Sequence, residues 1–322
     1  MQDGTARRPT TDWRIHLGAH KTATTHFQRV LEARRPDLRQ DGIHALTPST
    51  FRPIWTEREK RYRRWRRLIT AGVPVGAAGT KSFLREIGAP NRPGGRIVLS
   101  EENIIGDTRH GLGAVLYPDL SWRVGLLRSS LGGNAQVRLF FSIRNLATFL
   151  PSIYAEALRF FAFDAPFETV AAAALAQPPR WTDVVARLRT AWPEASVSVW
   201  RYEDYAAHDL AVFNHVTGCT FDKLPSLPRP RSTMTPSEQA VRAAEREAGR
   251  DDLDIMRRKA RVAEIYAAAP ATKTAATFRP LTPPQVDRCT ETYEADCAAL
   301  AASGLLWTPE PALPDHERTR CP

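Results

Sequence analysis

Apolar residues along the chain alternate between short continuous runs and longer stretches with helical spacing. The short runs, which are typical of strands covered on both faces of a parallel sheet, are residues 13–17, 96–100, 137–143 and 196–200. Residues 43–48 form a shorter run that we interpret as an edge strand. Because amphipathic segments separate these runs, the pattern predicts an α/β fold, a three-layer α/β/α domain with a mainly parallel central sheet.

The amphipathic segments predict helices along the whole chain, ending in a helical C-terminal part that begins at about residue 236. They are residues 27–38, 56–69, 145–161, 181–192, 209–216, 237–247, 252–268 and 284–302. Residues 1–12 are polar and predicted to be a disordered tail, and residues 309–322 a loose one. We therefore expect a single domain over residues 13–308.

Composition narrows the classes of partner and compartment. The 322 residues carry 45 lysines and arginines against 35 acidic residues, so an anionic partner is favoured. The N-terminus has no apolar leader, and no window approaches 18 apolar residues, so no membrane span is expected. Four cysteines show neither a C-x-x-C pair nor nearby histidines at metal spacing. These features predict a cytoplasmic protein with reduced thiols and no metal site.

The turn after the first strand carries the strongest chemical signal and reads GAHKTATT. A glycine permits a tight turn, the following helix offers unpaired N–H groups, and a lysine and three threonines add a positive charge and hydroxyl donors. The predicted anion-binding residues of this turn are Gly18, Lys21, Thr22, Ala23, Thr24 and Thr25. An ordinary strand-to-helix turn with a surface lysine is the alternative.

The nucleotide P-loop G-x-x-x-x-G-K-[ST] does not fit this turn, because Lys21 lies three residues after Gly18 and no Gly-Lys pair follows. The order of residues instead resembles G-x-x-K-x-G-T-T, the 5′-phosphosulfate loop of sulfotransferases that use 3′-phosphoadenosine 5′-phosphosulfate (PAPS). Ala23 replaces the second glycine of that pattern. We expect the alanine to disfavour a positive φ at this position.

A second likeness to this family follows the run at residues 137–143. Arg144 ends the strand, and Ser152 lies eight residues later on the predicted helix. In the sulfotransferase family an arginine and a serine at this spacing hold the 3′-phosphate of the nucleotide. Arginine supplies a two-pronged donor and serine a hydroxyl. Pro151 implies that the helix begins late or is kinked.

A third likeness is the sequence Ser100-Glu101-Glu102, which resembles the Ser-Ser-Glu-like strand end of many sulfotransferases. A carboxylate at the C-terminal end of a parallel strand lies where α/β enzymes place their chemistry, so Glu102 is the first candidate for the catalytic base. It could equally cap the next helix or pair with an arginine. His20 and His110 are the next candidates, and His20 could instead contact phosphate or be an ordinary turn residue.

The resemblance implies a P-loop NTPase-like domain that transfers a sulfuryl group from PAPS to a hydroxyl or amine, releases 3′-phosphoadenosine 5′-phosphate (PAP) and requires no metal. It places Lys21 among the catalytic residues beside Glu102 and His20. Two alternatives remain: an ATP-dependent kinase, which would need Mg²⁺, and a noncatalytic protein that binds polyanions.

Three further segments have open roles. The basic segment at residues 56–69 is predicted to begin at Thr56, with Glu59 completing a capping box. It is either a solvated helix face or a wall that attracts nucleotide phosphates or an acidic acceptor such as a glycan. Nucleic acid is not an expected partner. The Tyr-Glu-Asp sequence at 202–204 resembles a family element whose carboxylates orient neighbours. Residues 224–236 are either a linker or a loop closing over the nucleotide.

Overall fold

The central sheet has five strands, all parallel. The computed structural model describes residues 10–74, 76–89, 95–132, 135–161, 163, 165–228, 236–248, 254–271 and 276–309. The strands are β1 (Thr11–His16), β2 (Ile43–Leu46), β3 (Arg96–Ser100), β4 (Ala135–Ile143) and β5 (Ser196–Arg201). Their order is β2-β3-β1-β4-β5, which confirms the predicted parallel sheet and the edge position of the second strand.

The position of β1 in the middle of the sheet determines where chemistry can occur. Ile15 of β1 lies opposite Leu99 of β3 on one side and Leu139 of β4 on the other, and all three are fully buried. Because the strands are parallel, the segments that follow β1, β3 and β4 meet at one edge of the sheet. The three sequence motifs follow these three strands.

Helices cover both faces of the sheet. They are α1 (Thr24–Ala33), α2 (Arg35–Gln40), α3 (Pro48–Tyr62), α4 (Arg66–Thr70), α5 (Ala77–Glu86), α6 (Leu120–Leu131), α7 (Leu146–Ala157), α8 (Phe167–Val170), α9 (Ala172–Ala176), α10 (Trp181–Ala191), α11 (Tyr202–Thr217), α12 (Glu238–Ala248), α13 (Ile255–Ala268) and α14 (Pro283–Ala302). Helices α1, α2 and α11 pack on one face, and the larger core on the other face includes side chains of the C-terminal helices. This arrangement confirms the three-layer α/β/α class with a helical C-terminal part.

Two predicted helices near the N-terminus have different bounds from those expected. The first begins at Thr24 rather than at residue 27 and ends at Ala33, because Pro36 lies in the first turn of a separate helix, α2. The basic helix begins at Pro48, where Thr47 and Thr50 form the capping box. The predicted start at Thr56 was therefore wrong.

Two later helices also differ from the prediction: α7 ends at Ala157 rather than at residue 161, and α11 begins before residue 209. Helix α7 begins directly after Asn145, whose side chain accepts a hydrogen bond from the Ala147 N–H at 2.9 Å. Pro151 lies inside α7, so the expected late start was wrong; a proline removes one backbone donor there. Helix α11 begins at Tyr202, with non-helical backbone angles at His208 close to the predicted start. It ends at Thr217, one residue after the predicted end, and Gly218 caps it with a left-handed backbone.

The chain ends differ partly from the prediction. Strand β1 begins at Thr11, so residues 11 and 12 belong to the sheet and the predicted tail was too long. Residues 1–9 and 310–322 of the two predicted tails lie outside the described residues. Within the described part of the chain, no helix combines the length and the hydropathy that crossing a membrane requires.

Candidate functional site

The loop between β1 and α1 has an unusual backbone. Gly18 has φ 44°, and a Cβ atom added to it would lie 2.4 Å from the Thr24 side chain, so only glycine fits. Lys21 and Ala23 also have positive φ, at 62° and 65°. A positive φ was not expected for an alanine at position 23, and that expectation was wrong. Such a residue costs of the order of 1–3 kcal/mol, which the surrounding structure must offset.

Hydrogen bonds within the loop hold this conformation. The Thr22 hydroxyl donates to the Ala19 carbonyl at 2.6 Å, and the Phe27 N–H donates to the Ala23 carbonyl at 3.1 Å. Ala23 occupies the N-cap of α1 and supplies no side-chain acceptor, and the first turn contains no acidic residue. No side-chain acceptor at the N-cap therefore neutralises the positive end of the helix, which favours an anion there. Thr24 is buried beside them and Thr25 is exposed.

Lys21 is paired with a carboxylate of α7. Its Nζ lies 3.2 Å from Glu156 Oε2, and the Nε of Arg159 lies 3.5 Å from the same oxygen. Both side chains of the Lys21–Glu156 pair are only partly exposed, at 30% and 26%. An anion that binds the loop must therefore draw Lys21 away from Glu156.

The predicted 3′-phosphate residues lie directly beside the loop. Arg144 Nη1 donates to the Lys21 carbonyl at 2.8 Å and to the Ser152 hydroxyl at 3.3 Å. Its Nε donates to the Thr148 hydroxyl at 3.0 Å, and the guanidinium lies over the Tyr202 ring at 4.5 Å. Burial lowers the pKa of Arg144, although an arginine remains protonated at neutral pH. The structure thus brings Lys21, Arg144 and Ser152 together.

Neighbouring side chains fix the backbone around Arg144. Trp181 Nε1 donates to the Arg144 carbonyl at 2.8 Å. Glu203 accepts from the Asn145 N–H at 2.9 Å and from the Tyr293 hydroxyl at 2.6 Å. Glu203 belongs to the Tyr-Glu-Asp sequence, and it orients neighbours as the resemblance implied.

Glu102 lies next to the loop helix. Gln28 of α1 donates to its Oε2 at 2.6 Å, and Arg52 Nη2 of α3 donates to its Oε1 at 3.0 Å. Burial raises the pKa of Glu102, but the neighbouring His20, the charge of Arg52 and the hydrogen bonds to the carboxylate outweigh it and hold the pKa below its usual range. Glu102 is consequently a carboxylate at neutral pH, as a base requires.

Glu101, the other acidic residue of the motif, has the capping role that was open for Glu102, whereas both carboxylates pair with Arg52. It is completely buried and accepts a two-pronged pair from Arg52, at 2.9 Å from Nε and 2.8 Å from Nη2. It also accepts from the Asn103 N–H at 2.9 Å and so caps the short helical turn Glu102–Ile104. Burial and the neighbouring Glu102 raise the pKa of Glu101, and Arg52 opposes them.

His20 is enclosed by internal partners. Its Nδ1 lies 3.2 Å from the Tyr117 hydroxyl, its Nε2 lies 3.0 Å from Asn103 Oδ1, and its backbone N–H donates to the same hydroxyl at 3.1 Å. Burial lowers the pKa of His20, so the ring is neutral. With both nitrogens occupied, the ring is better suited to holding the loop than to taking a proton.

His110, the third candidate base, lies in the turn Thr108–Gly111. Its Nδ1 accepts from the Asp107 N–H at 3.1 Å, and burial lowers its pKa. Its carbonyl accepts from the N–H of Tyr117 at 2.6 Å. The His110 ring therefore holds the turn, while its backbone carbonyl holds Tyr117, and no described contact links the ring to the loop directly.

Three non-glycine residues of the described chain have positive φ, and all three lie at this site: Lys21, Ala23 and Tyr117. Tyr117 has φ 50° and contacts His20 through its hydroxyl. Strained backbone that is held by its surroundings is concentrated at functional sites in proteins. This clustering marks the site independently of the sequence motifs.

Sequence reasoning missed several residues of the site. They are Gln28, Arg52, Asn103, Tyr117 and Glu156. Arg52 lay outside the predicted basic helix because that helix was begun too late, and an earlier start at the Thr-Pro-Ser-Thr sequence would have included it. The others carry no spacing signal, since each meets its partner only through the fold.

Part of the open loop at 224–236 lies against α1. Arg29 donates to the Pro228 carbonyl at 2.6 Å, and Arg34 donates to the Lys223 carbonyl at 2.7 Å. Residues 229–235, which include the candidates Arg229, Arg231 and Ser232, lie outside the described residues.

Comparison with known proteins does not extend this description. No protein-family model and no curated protein sequence matches the chain. Among the described residues, no group of three or more histidine, cysteine, aspartate or glutamate side chains is arranged to hold a metal ion. The function of this chain must therefore be inferred from the geometry of the site.

His16 is the last residue of β1 and precedes the loop. Its burial predicts that the folded protein loses stability in acid. His16 is 2% exposed, with Nδ1 2.9 Å from the Ser100 hydroxyl and the ring stacked on Trp200 at 5.4 Å between centroids. Burial lowers the pKa of His16 to about 4. The unfolded chain binds this proton near pH 6.5, whereas the folded chain binds it only near pH 4. The contribution of His16 to the free energy of unfolding is therefore complete above about pH 6.5 and is lost as the pH falls toward about 4.

We expect the free energy of unfolding to fall by about 2 kcal/mol, from this residue alone, between about pH 7.5 and about pH 5. Urea denaturation of the native protein and of His16→Gln at both pH values measures the effect. The glutamine variant should lose that part of the pH dependence. Equal pH dependence in the two proteins would show that His16 is not the responsible group.

Proposed function

We propose that this chain is a sulfotransferase that moves a sulfuryl group from PAPS to a hydroxyl or amine of an acceptor. One observation carries the proposal. The Arg144 guanidinium bonds both to the Ser152 hydroxyl and to the backbone of Lys21, so two groups suited to a phosphate lie beside an uncapped helix N-terminus. A nucleotide with phosphates at its 5′ and 3′ positions could use both features at once.

The reaction assigns a task to each group. The bond between sulfur and the bridging oxygen of PAPS breaks, the electron pair stays on the 5′-phosphate of PAP, and the acceptor oxygen or nitrogen forms the new bond to sulfur. The Lys21 ammonium, the threonine hydroxyls and the N–H groups of α1 would stabilise the charge that develops on the leaving phosphate. Arg144 and Ser152 would hold the 3′-phosphate and fix the nucleotide along the site.

The acceptor must also lose a proton. Glu102 is an ionised carboxylate close to α1, and its contacts with Gln28 and Arg52 hold it in one orientation. We assign it the role of general base. His20 would hold the loop through Tyr117 and Asn103.

The proposed grip on the 3′-phosphate can be tested with the variants Arg144→Ala and Ser152→Ala. Removing the arginine should weaken PAP binding about a hundredfold, because it removes two charge-assisted hydrogen bonds. Removing the serine hydroxyl should weaken binding about tenfold. Isothermal titration calorimetry with PAP measures both constants, and adenosine 5′-phosphate serves as the ligand without a 3′-phosphate.

A matched control is Arg128→Ala, which removes an arginine of α6 that pairs with Glu194 on the surface. This variant should bind PAP like the native protein. If Arg144→Ala weakened the binding of adenosine 5′-phosphate and of PAP by the same factor, Arg144 would only support the loop. The assignment of Arg144 to the 3′-phosphate would then be wrong.

Glu156 supplies a further prediction. Its carboxylate lies 3.2 Å from the Lys21 ammonium, so an anionic donor must compete with it for the lysine. Glu156→Gln should therefore tighten PAP binding about two- to fivefold, which corresponds to a partly exposed ion pair of up to about 1 kcal/mol. Titration calorimetry at low and high salt tests this, and the gain should shrink at high salt. Weaker binding by the variant would show that the pair positions Lys21 productively.

A further inference from the structure

One exposed surface, at the end of α3, combines apolar side chains with arginines. Trp65, Leu68 and Val73 are 47%, 46% and 45% exposed and lie within one short stretch of chain. Large apolar side chains exposed singly are ordinary, but a group of them on one face marks an interaction site. We call these three side chains the apolar ridge.

The local backbone makes the ridge continuous. The Val73 N–H donates to the Leu68 carbonyl at 3.0 Å, and the Gly72 N–H donates to the Ile69 carbonyl at 2.9 Å. With Gly72 at φ 88°, this is a Schellman motif at the end of α4, which brings Val73 next to Leu68. Trp65 lies three residues before Leu68, one turn away on the same side.

Buried contacts fix the helix that carries the ridge against the rest of the protein. Ile69, between the exposed residues, is 4% exposed and packs against α6, where a Cβ atom on Gly125 would lie 3.3 Å from the Ile69 carbonyl oxygen. Arg66 pairs with Asp119 at 3.3 Å. These contacts turn the buried side of α4 inward and leave the ridge outward.

Exposed arginines surround the ridge. We call the four of them the basic rim: Arg61, Arg63, Arg64 and Arg67. Among the described residues, none of the four forms an ion pair, in contrast to Arg66. The guanidinium of Arg64 lies 5.5 Å from the centroid of the Trp65 ring. The rim thus adds positive charge beside the ridge, and of the four Arg63 also interacts electrostatically with the Glu59 carboxylate, where it opposes the rise in pKa that burial causes.

We propose that the ridge and the rim dock the protein on an anionic membrane surface. A soluble polyanion would neutralise the rim but leave Leu68 and Val73 in water. The interface of an anionic bilayer offers both partners, since phosphate groups pair with arginines while the acyl boundary receives apolar side chains. Tryptophan is the side chain that favours this interface most. The proposal does not depend on the sulfotransferase assignment.

Cosedimentation of the full chain with lipid vesicles tests the proposal. We expect binding to vesicles of phosphatidylcholine and phosphatidylserine, and no binding to phosphatidylcholine alone. Trp65→Ser with Leu68→Ser should weaken partitioning about tenfold or more, because two apolar side chains no longer leave water. The triple variant Arg63→Gln, Arg64→Gln, Arg67→Gln should weaken partitioning onto the anionic vesicles about a hundredfold.

Two matched controls separate this surface from general effects. Leu68→Ile keeps Trp65 and the apolar character of the ridge and should bind like the native protein. Ile255→Ser with Met256→Ser changes another exposed apolar pair, 53% and 69% exposed at the start of α13, and should also bind like the native protein. Circular dichroism of each variant verifies the fold.

Two results would overturn the proposal. One is unchanged vesicle binding by the Trp65→Ser, Leu68→Ser variant. The other is retention on heparin without any sedimentation with anionic vesicles, which would identify the rim as a site for soluble polyanions such as acidic glycans.

Discussion

Replacing Lys21 by alanine is expected to lower the turnover of PAPS about a thousandfold. Lys21 supplies the mobile positive charge in a loop whose remaining donors are backbone N–H groups and threonine hydroxyls. Removing one preorganised donor to a developing anion typically costs about a hundred- to a thousandfold in rate, and a charged donor belongs at the upper end. Release of PAP under saturating donor, with and without a mixture of hydroxyl acceptors, measures the effect.

The Lys21 experiment has a matched control in the same chain. Lys60 is an exposed lysine that pairs with Glu57 at 2.8 Å, as Lys21 pairs with Glu156 at 3.2 Å. Lys60→Ala should retain native turnover, and Lys21→Arg should retain part of it because the charge remains. If Lys21→Ala retained native turnover, the loop would have no part in the proposed mechanism.

Glu102→Gln is expected to lower turnover by about a thousandfold with an aliphatic hydroxyl acceptor, while PAP affinity changes little. Glutamine keeps the size of the side chain and can still contact Gln28 and Arg52, but it cannot take a proton. General base catalysis contributes about a hundred- to ten-thousandfold in enzymes. When the acceptor is a phenol that is already ionised, the turnover of the variant should fall far less, because no proton needs to be removed from the acceptor.

The pH dependence provides a second readout for Glu102. Since its pKa is held below the usual range, the base is ionised at neutral pH, and activity should fall only in acid, as the carboxylate becomes protonated. Glu194→Gln, which removes a surface carboxylate paired with Arg128, serves as the control and should keep native turnover. An equal loss with the alcohol and the phenol would make Glu102 a positioning residue instead.

The sheet and much of the site could be predicted because local sequence determined them. Continuous apolar runs marked the strands, and the residues that follow such runs had to meet at one edge. This is why Arg144 contacts the backbone of Lys21, more than a hundred residues earlier, and why Glu102 contacts Gln28 of the helix that follows the loop. Gly218 likewise ended α11 where its left-handed backbone was needed.

Other features depend on the fold and leave no mark in a single sequence. Ala23 has a left-handed backbone because the loop around it is held by Thr22 and by the start of α1, although alanine alone disfavours that conformation. Tyr117 reaches His20 from ninety-seven residues away. The Lys21–Glu156 pair joins a loop to the end of a distant helix, and no spacing predicts it.

The central claim is that the site recognises a nucleotide through a 3′-phosphate, and titration calorimetry of the native protein tests it most directly. The ligands are PAP, adenosine 5′-phosphate, and ATP with Mg²⁺. We predict that PAP binds about a hundredfold more tightly than adenosine 5′-phosphate, because the 3′-phosphate adds charge-assisted hydrogen bonds to Arg144 and Ser152. Equal affinity for the two ligands, or a preference for ATP with Mg²⁺, would contradict the account.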